Sequence, residues 1–259
     1  MRLSFSQLDT YSRCPKQYEF AYIKKLPRQQ SSPESFGSSV HNTMKAWGEL
    51  EMQHLNPVEP EMTLFGEVEI EALEPLNLDT LQRFWKKHFS VFGYDTPEAK
   101  HAAFERGQRV MEHTFNWWSQ KPRTPYIIEK GFKVPLTDGT LLHGRYDRVD
   151  SIEGGFHVYD YKTGRVHDQA YADNAPQLSL YAHAINTLES APCVSVSLVF
   201  LDENGVTERV TKRSLEDIET FLSSSRSTHQ LIKTGEFTAA PSKSGCSWCP
   251  YRNICRDAV

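Results

Sequence analysis

The apolar positions of this chain repeat first at helical spacing and later at strand spacing. Leu8 and Tyr11, with Ser6 and Asp9 as a capping pair, predict a first helix that brings Cys14 to its end beside Pro15. An amphipathic stretch over 18–23 leads to Pro27 and a polar linker through Pro33. Phe36, Val40, Met44 and Trp47 then recur at helical spacing, with His41 beside the stripe. Residues 56–97 are rich in proline, carry only short apolar patches, and read as an irregular insertion with some helix. From about residue 98, Phe104, Met111, Phe115 and Trp118 mark another helical face that ends near Pro122.

Strand signals follow. Residues 126–134 mix β-branched and aromatic side chains, Asp138-Gly139 supplies a turn, and 141–149 continue the pattern. Glu153-Gly154-Gly155 is a second turn leading into 156–162, so the spacing predicts three antiparallel strands ending at Thr163-Gly164. A helix over 176–188 comes next, then a period-two strand over 194–200 paired with 207–211 across Asn204-Gly205. Ser214 and Asp217 cap a last helix running to about residue 231. Strands, helix, hairpin and helix in that order predict an α/β core, with helices added on its N-terminal side.

Composition narrows the picture. The chain has 259 residues, 39% apolar and 24% charged, enough for one body with a substantial core. No apolar run reaches the length of a membrane span, and MRLSFSQLDTYSRC is not a signal-peptide core, which predicts a cytoplasmic protein without membrane partners. The cysteine pattern is not a secreted disulfide framework and suits a reducing compartment. A net charge of -4 is unusual for a nucleic-acid enzyme. Charge is, however, distributed unevenly: glutamates crowd 49–79, including Glu49, Glu51, Glu59, Glu61, Glu67, Glu69, Glu71 and Glu74, whereas Lys16, Lys24, Lys25 and Arg28 gather near the N-terminus. Either run can also be a plain solvated face.

Two constellations carry chemistry. On the strand before Gly164, Asp160 and Lys162 share a face and Tyr161 points away, while Asp147 can approach Asp160 from the neighbouring strand. Paired carboxylates repel unless a cation lies between them, so the pattern suits Mg2+ or Mn2+ with Lys162 orienting or deprotonating a water. Glu129 on the preceding strand is a candidate third carboxylate, His41 a candidate imidazole ligand, and Gln177 and Tyr181, one helical turn apart, can position the lysine or touch a phosphate. The competing reading is a surface hairpin with Asp147 and Asp160 paired to Arg145, Arg148 and Lys162, a satisfied histidine at 41, and Tyr181 as packing. The second constellation is Cys14 with Cys246, Cys249 and Cys255, a C-x2-C-x5-C run beside a distant thiol, which suits an iron-sulfur cluster or zinc and would staple the termini. Cys193 has no partner at ligand spacing and reads as a core thiol.

These motifs together resemble the RecB-type branch of the PD-(D/E)xK nuclease superfamily, including Cas4-like exonucleases with an iron-sulfur cluster. The resemblance runs through LSFSQL and YSRCP, Gly37-Ser38-Ser39-Val40-His41, GRYDRVD at 144–150, DYKTG at 160–164 and QLSLYA at 177–182, to the C-terminal cysteines; residues 50–125 do not contribute. It implies a restriction-endonuclease-like fold within a single nuclease domain: a helical region 1–125, a catalytic core 126–232 and a cluster segment 233–259. It also implies metal ligation by His41, Asp147, Asp160 and the Tyr161 carbonyl, with Lys162 catalytic and Glu129 at a loosely defined acidic position. Tyr146 stands where the superfamily has its proline. Relatives carry [4Fe-4S] or, in some, [2Fe-2S], and spacing alone leaves zinc open. The implied activity is a single-stranded DNA exonuclease of repair, recombination or CRISPR spacer processing. No phosphate-loop motif occurs, so any helicase or ATPase would have to be a partner, and the resemblance adds a CRISPR adaptation protein as a partner class. The alternatives are a non-catalytic DNA-binding or scaffold subunit, or an enzyme directed at RNA.

Overall fold

The computed structural model describes residues 2–57, 62–63, 66–67, 73–137 and 139–259. The chain opens with strand β1 (Arg2–Ser4), helices α1 (Phe5–Arg13) and α2 (Pro15–Tyr18), a π-helical turn at Glu19–Ile23, and the long helix α3 (Ser32–Leu55). Short strands β2 (Met62–Thr63) and β3 (Gly66–Glu67) precede helices α4 (Leu78–His88) and α5 (Pro97–Trp118). Five strands follow: β4 (Pro125–Ile128), β5 (Gly131–Thr137), β6 (Thr140–Arg145), β7 (Arg148–Ile152) and β8 (Gly155–Lys162). The chain ends with α6 (Gln169–Asp173), α7 (Pro176–Leu188), β9 (Cys193–Asp202), β10 (Gly205–Thr211), α8 (Leu215–Thr234) and α9 (Lys243–Ser247).

The α/β class holds, with a mixed central sheet flanked by helices. Its strand order is β10-β9-β8-β7-β4, and β8 and β9 run parallel because α6 and α7 carry the chain across between them. A smaller sheet, β1-β6-β5, stands beside it. β8 is buried along almost its whole length, and its alternation assigns faces: Phe156 and Val158 join the core under α7 and α8, whereas Tyr159 and Tyr161 join Phe36, Val40, Trp47 and Trp85 under α3, α4 and α5.

Several expectations change. Helix α1 is capped two residues earlier than the Ser6–Asp9 pair implied: Ser4 Oγ accepts from Gln7 N–H, and Gln7 Oε1 accepts from Ser4 N–H at 2.8 Å. The reason is β1, whose parallel pairing with β6 holds Ser4 extended until the helix begins. The polar linker through Pro33 already contains the start of α3, capped by Ser31 and Glu34. The insertion over 56–97 is less irregular than its prolines suggest, since α4 is capped by Asn77 and buries Leu81 and Trp85. Asp138 of the expected turn, and Glu59, Glu61, Glu69 and Glu71 of the acidic run, lie outside the described residues. Among the described residues no helix is long and apolar enough to cross a membrane.

The largest difference concerns the three antiparallel strands. Two of them, 126–134 and 141–149, are each broken in two, and their halves belong to different sheets. A period-two pattern continues across such a break, so the alternation alone did not reveal it.

Candidate metal centre

Both breaks fall at the same place. Glu129 interrupts the first long strand and Tyr146-Asp147 the second, and the interruptions face each other: Glu129 N–H donates to the Asp147 carbonyl at 3.0 Å and Tyr146 N–H to the Lys130 carbonyl at 3.1 Å. Glu129 therefore sits in the break rather than on a strand, with φ +46°, a left-handed conformation that costs a non-glycine residue roughly 1–3 kcal/mol. Such strain persists where the surroundings impose it, and here it turns a carboxylate toward Asp147.

Helix α3 brings the imidazole. Gly37, His41 and Gly48 lie on one helical face, and the glycines allow close approach: a Cβ on Gly37 would meet Thr163 Oγ1 at 3.2 Å, and one on Gly48 would meet Ile128 Cδ1 at 2.5 Å. His41 Nδ1 consequently lies 3.3 Å from Asp147 Oδ1 and 3.6 Å from Glu129 Oε1. Among the described residues, His41, Glu129 and Asp147 gather ligand atoms within 4.8 Å of one another. Burial works against the charged imidazole, but hydrogen bonds to Asp147 and Glu129 and the fields of Asp147 and Asp160 prevail and raise its pKa to about 10. The Asp147 carboxyl is pushed above its usual range, first by burial and then by Asp160. Its Oδ2 accepts from the Tyr161 N–H at 2.8 Å, which ties it to the last residues of β8.

Asp160 is the centre of a second, closed network. Tyr181 OH donates to Asp160 Oδ1 at 2.9 Å, Gln177 Nε2 donates to Tyr181 OH at 2.8 Å, and Lys162 Nζ donates to Gln177 Oε1 at 2.9 Å. Lys162 Nζ returns to Asp160 Oδ2 as an ion pair at 2.5 Å. Asp160 is 2% exposed, and its Oδ2 accepts no well-aligned hydrogen bond. Burial opposes the charge on Lys162, but Asp160 more than offsets it and moves the ammonium pKa upward. Tyr181 is held far above its normal range by burial and by the two aspartates, so its hydroxyl stays a donor.

The sequence-predicted residues thus fall into two adjoining groups. His41, Asp147 and Glu129 form one, and Asp160, Lys162, Gln177 and Tyr181 the other; a cavity of about 770 Å³ touches His41, Asp147, Asp160, Lys162, Gln177 and Tyr181. The carboxylates of Glu129 and Asp147 with the His41 imidazole, and the buried Asp160 carboxylate beside them, make a donor set of hard oxygens and one nitrogen that fits Mg2+ or Mn2+. Tyr161 turns its ring to the opposite face, as the alternation required.

Beneath the site lies a feature that sequence reading assigned wrongly. Glu51, grouped with the solvated acidic run, is 3% exposed and binds the buried Arg148, which also binds Asp150. The signal was available: Glu51 continues the stripe of Phe36, Val40, Met44 and Trp47 by one helical turn, and a charge on such a stripe needs a buried partner.

The four cysteines of the second constellation line one cavity of about 290 Å³ between the two ends of the chain. Aromatic contacts hold these ends together: Tyr18 stacks on Phe237, Phe20 meets Tyr251 edge-on, and Tyr11 OH donates to the Glu236 carbonyl at 2.6 Å. The thiols themselves are not drawn tight, since among the described residues no three of them come within 4.8 Å of one another. Burial first, then the three other thiols, push Cys249 up. Cys193 packs against the main core away from this cavity, and burial pushes its thiol up to about 12.

A sequence profile of the PD-(D/E)XK nuclease superfamily matches residues 2–256. The Gene 69 protein of Mycobacterium phage D29 is 26% identical over 208 residues, covering 70% of this chain and 68% of that protein. The crystal structure of a putative exonuclease from Eubacterium rectale superposes with a TM-score of 0.53 at 13% identity, covering 98% of this chain and 88% of that one, a likeness of fold.

Proposed function

The chain belongs to the PD-(D/E)XK nuclease superfamily, and from that premise we propose that it is a Mg2+- or Mn2+-dependent deoxyribonuclease acting as an exonuclease on single-stranded DNA or on free DNA ends. The observation that carries this reading is the convergence of His41 and Asp147 with the Asp160–Lys162–Gln177–Tyr181 network at one cavity, with Glu129 beside His41 and Asp147. His41, Asp147, Asp160 and the Tyr161 carbonyl would hold the ion, with Glu129 as an additional carboxylate. Bound there, the ion would supply Lewis-acid polarisation of the scissile phosphate and a more acidic water. Lys162, kept protonated by Asp160, acts as a fixed positive charge rather than a base, and Gln177 aims it toward the charge that develops on phosphate oxygens. Tyr181 holds Asp160 in one rotamer, and the Tyr161 amide does the same for Asp147.

We assign Cys14, Cys246, Cys249 and Cys255 to an iron-sulfur cluster, [4Fe-4S] in the common form. What supports the reading is that all four thiols line one cavity between the two ends of the chain, four sulfur ligands of the kind an iron-sulfur cluster takes. The partner class that fits such an enzyme is a helicase or a CRISPR adaptation protein that delivers ends.

Purified protein should degrade end-labelled single-stranded DNA with added manganese and stop with EDTA. Lys162→Ala should lose turnover by roughly 10²–10³-fold, the scale for one charge-stabilising donor, while keeping its circular dichroism. Undiminished metal-dependent activity in that variant refutes the assignment.

A further inference from the structure

We propose that the trough leading from the metal centre to the cysteine segment is a stacking track for single-stranded DNA, with Trp248 and Phe92 as its base platforms. The proposal rests on the deoxyribonuclease reading and deepens it. Trp248 is 83% and Phe92 72% exposed, the two most exposed aromatic rings among the described residues. Covering such a ring is worth roughly 1.5–3 kcal/mol, which an occupant of the cavity between them would gain. The two residues come from distant parts of the chain, yet both line one open cavity of about 1180 Å³, together with Tyr22 and Arg28.

That cavity adjoins the site. It shares Arg28, Gln30 and Glu34 with a cavity of about 670 Å³ that holds His41, Glu129 and Asp147. This second cavity in turn shares His41, Arg145 and Asp147 with the one that holds Lys162. The cavities that hold the metal centre and Trp248 thus follow one another along one surface, the course we assign to a strand leaving the centre.

The chemistry selects a single strand over a duplex. Arg13 and Arg28, the basic residues of the outer trough, are already paired with Asp9 and Glu34, and the chain carries a net charge of -4. Phosphate neutralisation alone is thus a weak source of affinity here, and base stacking on exposed rings must supply much of it. Only unpaired bases offer both faces to such rings.

The test is equilibrium binding of a fluorescent oligo(dT) strand in EDTA, which separates binding from cleavage. Trp248→Ala and Phe92→Ala should each weaken binding roughly five- to 150-fold, the range that corresponds to loss of one stacked base. Trp248→Phe should recover most of the affinity. Leu215→Ala, an equally exposed apolar residue outside the trough, should bind as the parent does. Phe92 lies far from the cysteines in sequence, so it reports on the track even if Trp248→Ala disturbs the cysteine segment. Parental affinity in both alanine variants overturns the proposal, as does a closed duplex bound as tightly as oligo(dT). Absence of manganese-dependent cleavage by the parent protein would sink the nuclease reading instead, and the binding losses would still report on the track.

Discussion

Replacing Arg148 with methionine removes the cation that pairs with two buried carboxylates. Arg148 is 2% exposed, Glu51 3% and Asp150 2%. The guanidinium donates to Asp150 Oδ1 at 2.6 Å and to Glu51 Oε1 at 3.1 Å, and Trp118 Nε1 donates to the same Glu51 oxygen at 2.7 Å. These contacts join α3, α5 and β7 directly beneath the metal centre. Methionine fills most of the volume but leaves both carboxylates without a counter-charge. Breaking a buried pair costs about 3–5 kcal/mol, and two orphaned charges place this variant toward the upper end. At about 2–4 °C per kcal/mol for a chain of this size, the melting temperature should fall by roughly 6–20 °C. Urea and thermal denaturation followed by circular dichroism measure the loss. Adding Glu51→Gln and Asp150→Asn to Arg148→Met should recover part of it, because the amides remove the uncompensated charge. A loss below about 1 kcal/mol, within the range of an exposed ion pair, would refute the reasoning. So would a triple variant less stable than Arg148→Met alone.

Gly48→Ala drives a methyl into Ile128, 2.5 Å from its Cδ1. It should cost about 1–3 kcal/mol through overpacking and weaken manganese binding by displacing His41, whereas a gain in stability from alanine's better helix propensity would contradict the close-approach argument. His41, with its pKa raised to about 10, contributes stability that is complete below about pH 6.5 and is lost as pH rises toward 10. Ion binding takes the neutral imidazole, so manganese affinity should rise with pH over that interval and release a proton near pH 7; calorimetry in buffers of different ionisation enthalpy detects this, and a buffer-independent enthalpy would count against His41 as a ligand. Cys249→Ser should lose iron from anaerobically purified protein and lower its melting temperature, while Cys193→Ser should keep the iron; stoichiometric zinc in place of iron would overturn the cluster but not the nuclease.

Much of this protein is written in local pattern. The stripe of Phe36, Val40, Met44 and Trp47 determines α3, the Ser214–Asp217 capping box opens α8, and Asn204-Gly205 joins β9 to β10, because each depends on neighbours within a few residues. Period-two geometry placed Asp160 and Lys162 on one face with no knowledge of the fold, and helical spacing did the same for Gln177 and Tyr181. What the pattern could not settle depends on long-range pairing. The positive φ of Glu129, the double break that lets the strand pair leave one sheet for another, and the choice of Arg148 as the partner of Glu51 arise only when α3, β4 and β7 pack together. Each of these arrangements is locally unfavourable: a strained backbone, an interrupted ladder, a charge removed from water. They persist because contacts from distant parts of the chain outweigh the local cost, and local pattern has no means of encoding a contact with a partner so far along the sequence.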